Sequence, residues 1–466
     1  MPPSLPRVLI SAAHKSSGKT TVSIGLCAAL RERGVKVQPF KKGPDYIDPM
    51  WLGTACGRPC RNLDFYLMGS DEIAANFVRH SGGADFSLIE GNKGLYDGLN
   101  LDGSNSNAAL ATLLNAPVVL VIDARGMTRG IAPLILGYQA FDKNIRIAGV
   151  ILNKLGGARH ESKLRAVIEH YTDVPVIGAV HHDPRLEIDE RHLGLMPSNE
   201  AAEAQRHTAE IGALVGGQVE LGRLLEIGAA AGAVPKYHFP ADESKGEAAL
   251  PKVRIGLVRD RAFGFYYADD LDALSEAGAE IVPIDALHDA ALPPVDGLFI
   301  GGGFPELMMD ELEANSGLRG EIRNAIENGL PAYAECGGLM YLARSLSWQG
   351  KTRQMVGVIP GDVTMHPKPV GRGYVRLKET AAHPWPALTG EASGAERPAH
   401  EFHYSSLDNL PDGLEYAYEV KRGTGIDGKR DGLVYKNLLA SYTHFRSLQD
   451  YNWARRFVAF VRRIKG

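Results

Sequence analysis

Short and nearly continuous apolar runs recur through the first half of the chain, separated by helical or loop stretches. Four of these runs read DFSLIEG, APVVLVIDA, IRIAGVILNK and VPVIGAV. Strands that are buried on both faces of a parallel sheet have this appearance. The first half of the chain is therefore predicted to form a doubly wound α/β domain.

The chain has 466 residues, more than one hydrophobic core usually supports, so more than one domain is expected. Residues 236–252 are polar and carry Pro and Gly, which predicts a linker. Beyond them the alternation of strands and helices restarts, and two later runs, MVGVIPGDVTMH and GYVRLKET, are expected to be antiparallel strands. We predict an N-terminal domain over residues 1–235, the linker, and a second α/β domain over residues 253–466.

The composition is ordinary for a globular protein, with 44% hydrophobic residues, 23% charged residues and a net charge of −4. There is no basic block for nucleic acid, and no apolar run approaches the roughly 20 residues of a membrane span. The N-terminal residues lack the pattern of a secretory signal, and four cysteines are too few for a disulfide framework. We expect a cytoplasmic protein with no nucleic-acid or membrane partner, and no zinc at Cys56 and Cys60, which lack a second pair of ligands.

The segment SSGKTT, residues 16–21, follows the apolar run RVLISAA and opens a helical pattern that ends at Gly34. This is the setting of a phosphate-binding loop, in which backbone N–H groups and a helix N-terminus surround phosphate oxygens. Lys19 would reach the terminal phosphates of ATP, and Thr20 would hold Mg²⁺. The residues of this loop that are predicted to bind ATP are Ser17, Gly18, Lys19, Thr20 and Thr21.

Ala13 stands where the standard phosphate-loop pattern has its first glycine, so the loop is a variant. The alternative interpretation is a tight turn between a strand and a helix that binds no ligand. Ligases that phosphorylate carboxylates, such as dethiobiotin synthetase, also use modified loops. The variant therefore remains compatible with nucleotide binding.

Acidic residues follow two of the predicted strands. KKGPDYIDP offers Asp45 and Asp48, and IEGNKGLYDG offers Glu90 and Asp97. Ligands of open α/β sheets bind beyond the carboxyl ends of the strands, so Thr20, Asp45 and Glu90 are predicted to converge on a metal bound to ATP. The alternative is that each acid only caps a loop or is solvated.

Long motifs of the chain are similar to those of the cobyrinic acid a,c-diamide synthase family, and the similarity runs through essentially the whole chain. The motifs are KVQPFKKGPDYIDP, GRPCRNLD, EGNKGLYDG, SNSNAALA and RHLGLMPS. The resemblance implies a dethiobiotin-synthetase-like P-loop ligase domain followed by a glutamine amidotransferase domain. It further implies that carboxylates of a tetrapyrrole are converted to amides with ATP, Mg²⁺ and glutamine.

The same resemblance assigns roles to residues of the KKGPDYIDP and GLYDG motifs. It places Tyr46, Asp48 and Asp97 near the macrocycle and its reacting acetate arm. Lys41 stands where related ligases have a lysine near the transferring phosphate, so it is predicted to bind ATP. Lys42 is a departure, because that position is often apolar in the family.

A single cysteine lies in the sequence LPAYAECGGLMYLA, which predicts a strand, a turn and a helix. A cysteine at a helix N-terminus is favoured as a thiolate, and neighbouring glycines allow a close approach of substrate. The turn resembles the nucleophile turn of class I glutamine amidotransferases. Cys336 is therefore the predicted nucleophile, and His444, which follows the apolar run of NLLASYTHFRS, is the predicted base.

Hydrolysis of an amide passes through a tetrahedral intermediate, which needs hydrogen-bond donors for its oxyanion. The loop FIGGGFPE ends a predicted strand in three glycines, and we assign the oxyanion hole to Gly302 and Gly303. Many amidotransferases of this class carry a glutamate two residues after the histidine, but this chain has Arg446 there. The cobyrinate-type branch is similar in lacking that glutamate, and the partner that orients His444 has no assignment from the sequence.

The segment PAHEFHYSSL carries His400 and His403 around Glu401, and two interpretations are open. The spacing is conceivable for a metal site, but a strand with alternating faces explains it as well. We favour the strand. By the family resemblance the segment belongs to the amidotransferase domain.

The predicted reaction is the amidation of the a and c acetate carboxylates of a tetrapyrrole through an acyl phosphate. The preferred ring is cobyrinate, in cobalamin biosynthesis. Sirohydrochlorin, its nickel form and siroheme are alternatives, because parts of the sequence look closer to that branch. Two rival functions are a cobyric acid synthase-like amidase and a partitioning-type ATPase. The expected partners are L-glutamine and the tetrapyrrole, with a second copy of the chain as a further candidate.

Overall fold

The computed structural model describes residues 5–188, 190–191, 194–199, 203–237, 251–388 and 394–466. The chain divides into two compact units, Met1–Pro240 and Ala241–Gly466, and each is described by itself. The predicted linker lies outside the described residues except at its two ends, and so do two residues of the RHLGLMPS motif.

The N-terminal unit is built on a seven-stranded sheet with the order β3-β2-β4-β1-β5-β6-β7, in which all neighbours are parallel. A short antiparallel pair, β8 and β9, is separate. The strands are β1 (Arg7–Ala12), β2 (Val37–Lys42), β3 (Arg61–Leu63), β4 (Phe86–Glu90), β5 (Val118–Asp123), β6 (Ile147–Leu155), β7 (Val176–His181), β8 (Glu190–Arg191) and β9 (Gly194–Leu195). Every residue of β1, β2, β4 and β5 is buried. The apolar runs predicted this for β1, β4 and β5, whereas β2 also buries polar residues, and β6 and β7 each keep partly exposed residues.

Helices connect the parallel strands of this unit. They are α1 (Lys19–Glu32), α2 (Ile47–Cys56), α3 (Ser70–Ser81), α4 (Asn107–Leu113), α5 (Ile131–Phe141), α6 (Ala158–Tyr171), α7 (Ala204–Gly216) and α8 (Leu221–Ala229). Helix α1 is followed by Gly34, whose positive φ of 80° lets its N–H bond the carbonyl of Arg31. Because β2, β4 and β1 are neighbours, the loops after these three strands emerge at one edge of the sheet.

The C-terminal unit has a nine-stranded sheet with the order β12-β10-β13-β15-β24-β23-β22-β19-β20. The first five strands pair in parallel and the remaining pairs are antiparallel. The strands of the unit are β10 (Val253–Val258), β11 (Phe263–Phe265), β12 (Ala279–Ile284), β13 (Gly297–Ile300), β14 (Gly302–Gly303), β15 (Ala332–Glu335), β16 (Ala343–Trp348), β17 (Lys351–Gln354), β18 (Ile359–Met365), β19 (Gly371–Glu379), β20 (Glu396–His403), β21 (Ser405–Asp408), β22 (Glu415–Arg422), β23 (Arg430–Tyr435) and β24 (Leu438–Ser441).

Two smaller sheets complete this unit: the antiparallel pair β11-β14, and a four-stranded sheet in the order β17-β16-β18-β21. The prediction of antiparallel strands is confirmed for β19, whereas β18 is antiparallel to β21 but parallel to β16. The helices are α9 (Ala268–Glu276), α10 (Met309–Ala314), α11 (Ser316–Glu327), α12 (Gly337–Leu342) and α13 (Trp453–Lys465). The order β13-β15-β24 places three loops side by side, and each of them carries a residue predicted for glutamine hydrolysis.

Aromatic side chains fill the core beside the centre of this sheet. Phe299 of β13 stacks on Tyr333 of β15 at a centroid distance of 5.3 Å, and Trp453 of α13 packs against both rings. Buried aromatic rings contribute large apolar areas, so these contacts hold the ends of β13 and β15 in a fixed relation. Within the described residues, no helix combines the length and the apolar character that crossing a membrane requires.

Candidate functional site

The phosphate-loop segment is a strained turn between β1 and α1. Ser16 and Gly18 have positive φ values of 65° and 78°, and a Cβ on Gly18 would overlap the amide nitrogen of Asn153. The end of β6 holds the turn, because the Asn153 amide donates to the Ser17 carbonyl at 2.8 Å and Lys154 Nζ donates to the Ser16 carbonyl at 2.9 Å. Glycine is therefore required at position 18 by the backbone and by the close packing of Asn153.

The variant position of the loop, Ala13, packs against the segment that follows β4. A Cβ on Gly94 would lie 2.8 Å from the Ala13 carbonyl oxygen, which also accepts a hydrogen bond from the Tyr138 hydroxyl. The buried Ser17 hydroxyl donates to the His14 carbonyl at 2.8 Å, and Thr21 lies in the first turn of α1. The loop after β1 and the loop after β4 thus support each other.

Four elements, α1, β2, α2 and β4, bring a group of polar and charged side chains together at the carboxyl edge of the sheet. Glu90 Oε1 lies 2.9 Å from Lys19 Nζ, accepts the Thr20 hydroxyl at 2.6 Å and lies 3.2 Å from Lys41 Nζ. The Asp48 carboxylate pairs with Lys41 and lies 3.3 Å from the Thr20 hydroxyl. We call Lys19, Thr20, Lys41, Asp48 and Glu90 the lysine–acid cluster.

Asp45 lies at the margin of this cluster, and Tyr46 follows it in the chain. Asp45 Oδ1 accepts the N–H groups of Ile47 and Asp48, at 2.9 and 3.3 Å, so it caps the start of α2. Its other oxygen lies 3.7 Å from Lys41 Nζ, and the Tyr46 side chain is buried. Asp48, in the first turn of α2, therefore contacts both Thr20 and Lys41, whereas Asp45 lies farther from Lys41.

Asp97 lies outside the lysine–acid cluster. Its side chain is exposed, and Oδ2 accepts the Gly94 N–H at 3.0 Å within the loop after β4. Asn107 of α4 donates to the carbonyls of Asn92 and Gly94 and so anchors the same loop. Asp97 is thus presented to solvent by a loop whose base is fixed.

The charges of the cluster are strongly coupled. Burial alone would lower the pKa of Lys41, but Asp48, Glu90 and Asp45 raise it above its ordinary value. Burial alone would raise the pKa of Asp48, but the charges of Lys41 and Lys19 hold it below its usual range. Burial and the nearby Asp48 charge raise the pKa of Asp45.

The hydroxyl and carboxylate oxygens of the lysine–acid cluster are the ligands that a hard divalent cation prefers. The fully buried Glu90 has one oxygen, Oε2, that has no hydrogen-bond partner within the described part of the chain. A buried carboxylate oxygen without a partner is costly, and a bound cation would satisfy it. Thr20, Glu90 and Asp48 could therefore hold Mg²⁺, with Asp45 beside them.

In the C-terminal unit, Cys336 occupies the turn between β15 and α12. Its φ of 47° and ψ of −101° are unfavourable for a residue with a side chain, and such strain is typical of functional turns. The Cys336 N–H donates to the Ser441 carbonyl at 2.7 Å, and its thiol forms a hydrogen bond with His444. The glycines that follow are needed for space, because a Cβ on Gly338 would overlap the carbonyl oxygen of Ile300.

His444 has a carboxylate partner that the sequence did not predict. Its Nδ1 lies 3.2 Å from Oε2 of Glu335, the residue immediately before Cys336, and both side chains are buried. Burial alone would lower the pKa of His444, but the Cys336 thiol and Glu335 raise it to about 10. The only signal in the sequence was a glutamate that ends an apolar run and directly precedes the candidate nucleophile.

The segment that carries His444 is anchored on both sides. The buried Asp431 carboxylate accepts the Ser441 hydroxyl at 2.7 Å and the Tyr442 and Thr443 N–H groups at 3.1 Å. The His444 ring stacks on His400 at a centroid distance of 5.0 Å. These contacts fix the position of the histidine before any substrate binds.

The glycine loop after β13 lies against both candidate catalytic residues. A Cβ on Gly302 would lie 2.7 Å from Cε1 of His444, and a Cβ on Gly337 would lie 2.9 Å from the Gly303 backbone nitrogen. The Gly303 backbone is therefore beside the first residue of α12. Sequence reasoning placed Gly302 and Gly303 near Cys336, and the structure brings them to His444 and to the Cys336 turn.

Arg446 and the histidines of β20 have structural partners. Arg446 is buried and donates to Asp269 at 2.6 Å. His400 forms backbone hydrogen bonds with His444, and His403 Nδ1 hydrogen-bonds to the Ser405 carbonyl at 2.8 Å. In the part of the chain that the structure describes, neither histidine belongs to a group of three metal-ligating side chains.

Comparisons with known proteins match both units of the chain. Residues 9–195 match the CobQ/CobB/MinD/ParA nucleotide binding domain, and residues 254–451 match the CobB/CobQ-like glutamine amidotransferase domain. A protein of Magnetococcus marinus named cobyrinate a,c-diamide synthase is 46% identical over 465 residues, which is 99% of this chain and 98% of the relative. The chain belongs to the cobyrinate a,c-diamide synthase family.

Two further relatives carry the same name. The proteins named cobyrinate a,c-diamide synthase from Methanosarcina acetivorans and Methanosarcina barkeri are 44% and 42% identical, over 96% and 99% of this chain and 93% and 97% of those relatives. The family membership confirms the resemblance seen in the sequence. It also confirms the predicted fold class, a P-loop domain followed by a glutamine amidotransferase domain.

Proposed function

We propose that this chain is a cobyrinate a,c-diamide synthase, an ATP- and glutamine-dependent ligase that amidates two acetate carboxylates of the ring. The observation that carries the proposal is the similarity over the whole chain to relatives of that name. The two candidate sites supply the chemistry that such a reaction needs. One unit, over residues 1–235, would activate the carboxylate, and the other, over residues 253–466, would release ammonia from glutamine.

A carboxylate at neutral pH has no leaving group, so it must be activated before an amine can replace an oxygen. An oxygen of the acetate attacks the γ-phosphorus of ATP, the bond to the β–γ bridging oxygen breaks, and ADP leaves. The product is an acyl phosphate. Ammonia then attacks its carbonyl carbon, and inorganic phosphate leaves with the former carboxylate oxygen.

The lysine–acid cluster is suited to the phosphoryl transfer. Lys19 and the backbone N–H groups of the loop from Ser17 to Thr21 would bind the phosphates, and Lys41 would approach the transferring group. When bound, Mg²⁺ neutralises charge on the phosphate oxygens; Thr20, Glu90 and Asp48, with Asp45 beside them, would hold it. The two lysines are already paired with carboxylates, so they are positioned before ATP arrives.

The assignment of substrate contacts follows the family resemblance and the loop positions. Tyr46, Asp48 and Asp97 are proposed to lie near the macrocycle and its acetate arm. Asp97 is exposed on the loop after β4, which suits a contact with a large ligand. Asp48 also contacts Lys41, so it would serve both the lysine–acid cluster and the macrocycle.

The amidotransferase site is suited to the hydrolysis of glutamine. His444 accepts the proton of the Cys336 thiol, the sulfur attacks the amide carbon, and His444 returns a proton to the departing ammonia. The backbone N–H groups of Gly302 and Gly303 are the proposed donors to the oxyanion. Water then hydrolyses the thioester and releases glutamate.

The test is a panel of rings incubated with ATP and glutamine, with products read by mass. Cobyrinate, sirohydrochlorin, nickel-sirohydrochlorin and siroheme share the a and c acetate arms. We expect cobyrinate to gain two amides. Preferential conversion of a sirohydrochlorin-type ring would reassign the substrate, and more than two amides would indicate a cobyric acid synthase-like enzyme.

Cys336→Ala is the variant that tests the source of nitrogen. It should abolish glutamate release and glutamine-dependent amidation, while ammonium chloride still supports amidation. Amidation from glutamine by this variant would contradict the role of Cys336. A chain that hydrolyses ATP but neither releases glutamate nor amidates any ring would be a partitioning-type ATPase.

A homodimer and a cytoplasmic location are also predictions. Light scattering of the purified chain, with and without ATP, measures the first. Fractionation of cells that express the chain measures the second.

A further inference from the structure

We infer that Glu335 is the positioning residue of the glutaminase site, and that it orients His444 toward Cys336 in place of a carboxylate two residues after the histidine. The inference deepens the proposed function, since it concerns the same amidotransferase site. It depends on contacts around β15 and β24, which are neighbouring strands of the sheet.

The Glu335 carboxylate is held by donors on both of its oxygens. Oε2 lies 3.2 Å from His444 Nδ1, while Oε1 accepts the Tyr333 hydroxyl at 2.6 Å and the Phe445 N–H at 3.2 Å. Only 4% of the Glu335 side chain is exposed, so its charge acts with little screening by water. The carboxylate therefore has one fixed orientation, and that orientation faces the histidine.

The position on β15 explains why a residue beside the nucleophile can do this. Side chains alternate along a strand, so Tyr333 and Glu335 lie on one face, and Glu335 pairs in register with Ser441 on β24. His444 follows Ser441 by three residues. The strand that delivers Cys336 thus also delivers the carboxylate that contacts the base.

The position that usually carries the orienting carboxylate is occupied by a cation with a different partner. Arg446 donates to Asp269, and the neighbouring Asp270 accepts the Ser447 N–H at 2.7 Å and the Trp453 indole N–H at 3.2 Å. These acids stabilise the segment after His444. Glu335 is a carboxylate in hydrogen-bond contact with the His444 ring.

The chemical consequence concerns the two ring nitrogens. A hydrogen bond from Nδ1–H to Glu335 keeps the proton on Nδ1 and leaves Nε2 to exchange a proton with the Cys336 thiol. The carboxylate also stabilises the imidazolium that forms when the thiol gives up its proton. Glutamine at position 335 would present either an amide N–H₂ or a neutral oxygen to Nδ1, and neither stabilises the imidazolium as well.

The experiment compares Glu335→Gln, Glu335→Asp and the unmodified full-length chain. Glutamate release gives kcat and KM for glutamine, and amidation with ammonium chloride and ATP gives an activity that does not use this site. We expect Glu335→Gln to lower kcat about 100-fold or more, with KM changed less than threefold and ammonia-dependent amidation intact. Glu335→Asp keeps the charge and should recover part of kcat.

A second readout follows the thiol itself. The rate at which chloroacetamide alkylates Cys336, measured by peptide mass, should fall at least tenfold in Glu335→Gln, because the imidazolium that assists the thiolate is less stable. Tyr333→Phe is the matched control: it removes one hydrogen bond to the carboxylate but leaves the contact with His444. It should reduce kcat by less than tenfold.

Several outcomes would overturn the inference. One is a kcat of Glu335→Gln within threefold of the unmodified chain, and another is a rise in KM with kcat unchanged, which would make Glu335 a glutamine-binding residue. If Glu335→Gln loses both activities, Glu335→Asp decides. Intact ammonia-dependent amidation in Glu335→Asp with no recovery of kcat for glutamine would refute positioning by the carboxylate. If the unmodified chain releases glutamate but amidates no ring, the proposed function fails, while the inference is still judged by glutamate release and by thermal unfolding of the variants.

Discussion

Gly302→Ala would place one methyl group against the ring of His444. An ideal Cβ at this position lies 2.7 Å from His444 Cε1 and 3.3 Å from Phe265, whereas ordinary contact begins near 3.4 Å. The backbone of Gly302 is not in the left-handed region, so alanine itself adds no strain there. The ring must therefore move by about 0.7 Å (from 2.7 to 3.4 Å), or β14 must move by a similar distance.

The surroundings of His444 leave little room for that movement. The ring is stacked on His400, and its Nδ1 is held by Glu335. A misplacement that approaches 1 Å can reduce catalysis on the order of 100-fold, which corresponds to about 2.7 kcal/mol in the activation free energy. Alanine keeps the backbone N–H, so any loss would come from the displaced base rather than from a lost donor.

The assay is glutamate release from glutamine, with ammonia-dependent amidation measured in parallel. We expect Gly302→Ala to lower kcat for glutamine on the order of 100-fold and to leave ammonia-dependent amidation unchanged. Gly320→Ala in α11 is the matched control, because a Cβ there meets nothing within 4 Å. A Gly302→Ala chain with a kcat within threefold of the unmodified protein would refute the reasoning.

Three further predictions concern other parts of the chain. Thr20→Val removes the hydroxyl that donates to Glu90 at 2.6 Å, so amidation should fall roughly 100-fold with either glutamine or ammonia as the nitrogen source. Thr20→Ser keeps a hydroxyl and should lose less than tenfold. Equal losses in the two variants would argue against a metal-binding hydroxyl. The free energy of unfolding in urea should be about 1 kcal/mol higher for Cys336→Gly than for Cys336→Ala, because only glycine tolerates the φ of 47° without strain. The reverse order of stability would contradict a strained turn. Burial lowers the pKa of Lys42 to about 8, so its charge destabilises the folded state fully below that pH and progressively less up to about pH 10.5. Lys42→Met should therefore raise stability by up to about 3 kcal/mol at pH 7 and by much less at pH 10. The measurement is thermal unfolding, and the exposed Lys143→Met is the control. A gain that persists at pH 10 would rule out this explanation.

Local sequence patterns were sufficient to predict the buried strands and the phosphate loop of the N-terminal unit. The apolar runs became the fully buried strands β1, β4 and β5, and the phosphate loop lies at the junction of β1 and α1. Patterns were less informative for β18, which pairs in parallel with β16 and antiparallel with β21. The direction of a partner strand is set by tertiary packing, and a single run of residues does not encode it.

The candidate sites also combine features that the sequence predicts with features that tertiary packing sets. The sequence pointed to Thr20 and Glu90 as neighbours, because both follow strands of one parallel sheet, and they are 2.6 Å apart. It ranked Asp45 above Asp48, whereas the first turn of α2 directs Asp48 toward Thr20 and Lys41 and leaves Asp45 to cap that helix. Which of two acids three residues apart reaches a site depends on where the helix begins.

The sequence by itself determined the chemical groups of this protein and the turns that present them: the phosphate loop around Gly18, the nucleophile turn at Cys336, and the order of the two domains. The tertiary structure alone decided which distant groups meet. Glu335 and His444 are 109 residues apart in the chain, and their contact exists because β15 and β24 are neighbours in the sheet with a fixed register. Strand order and register arise from the packing of the whole unit, so a local pattern can supply a base but not the carboxylate that orients it.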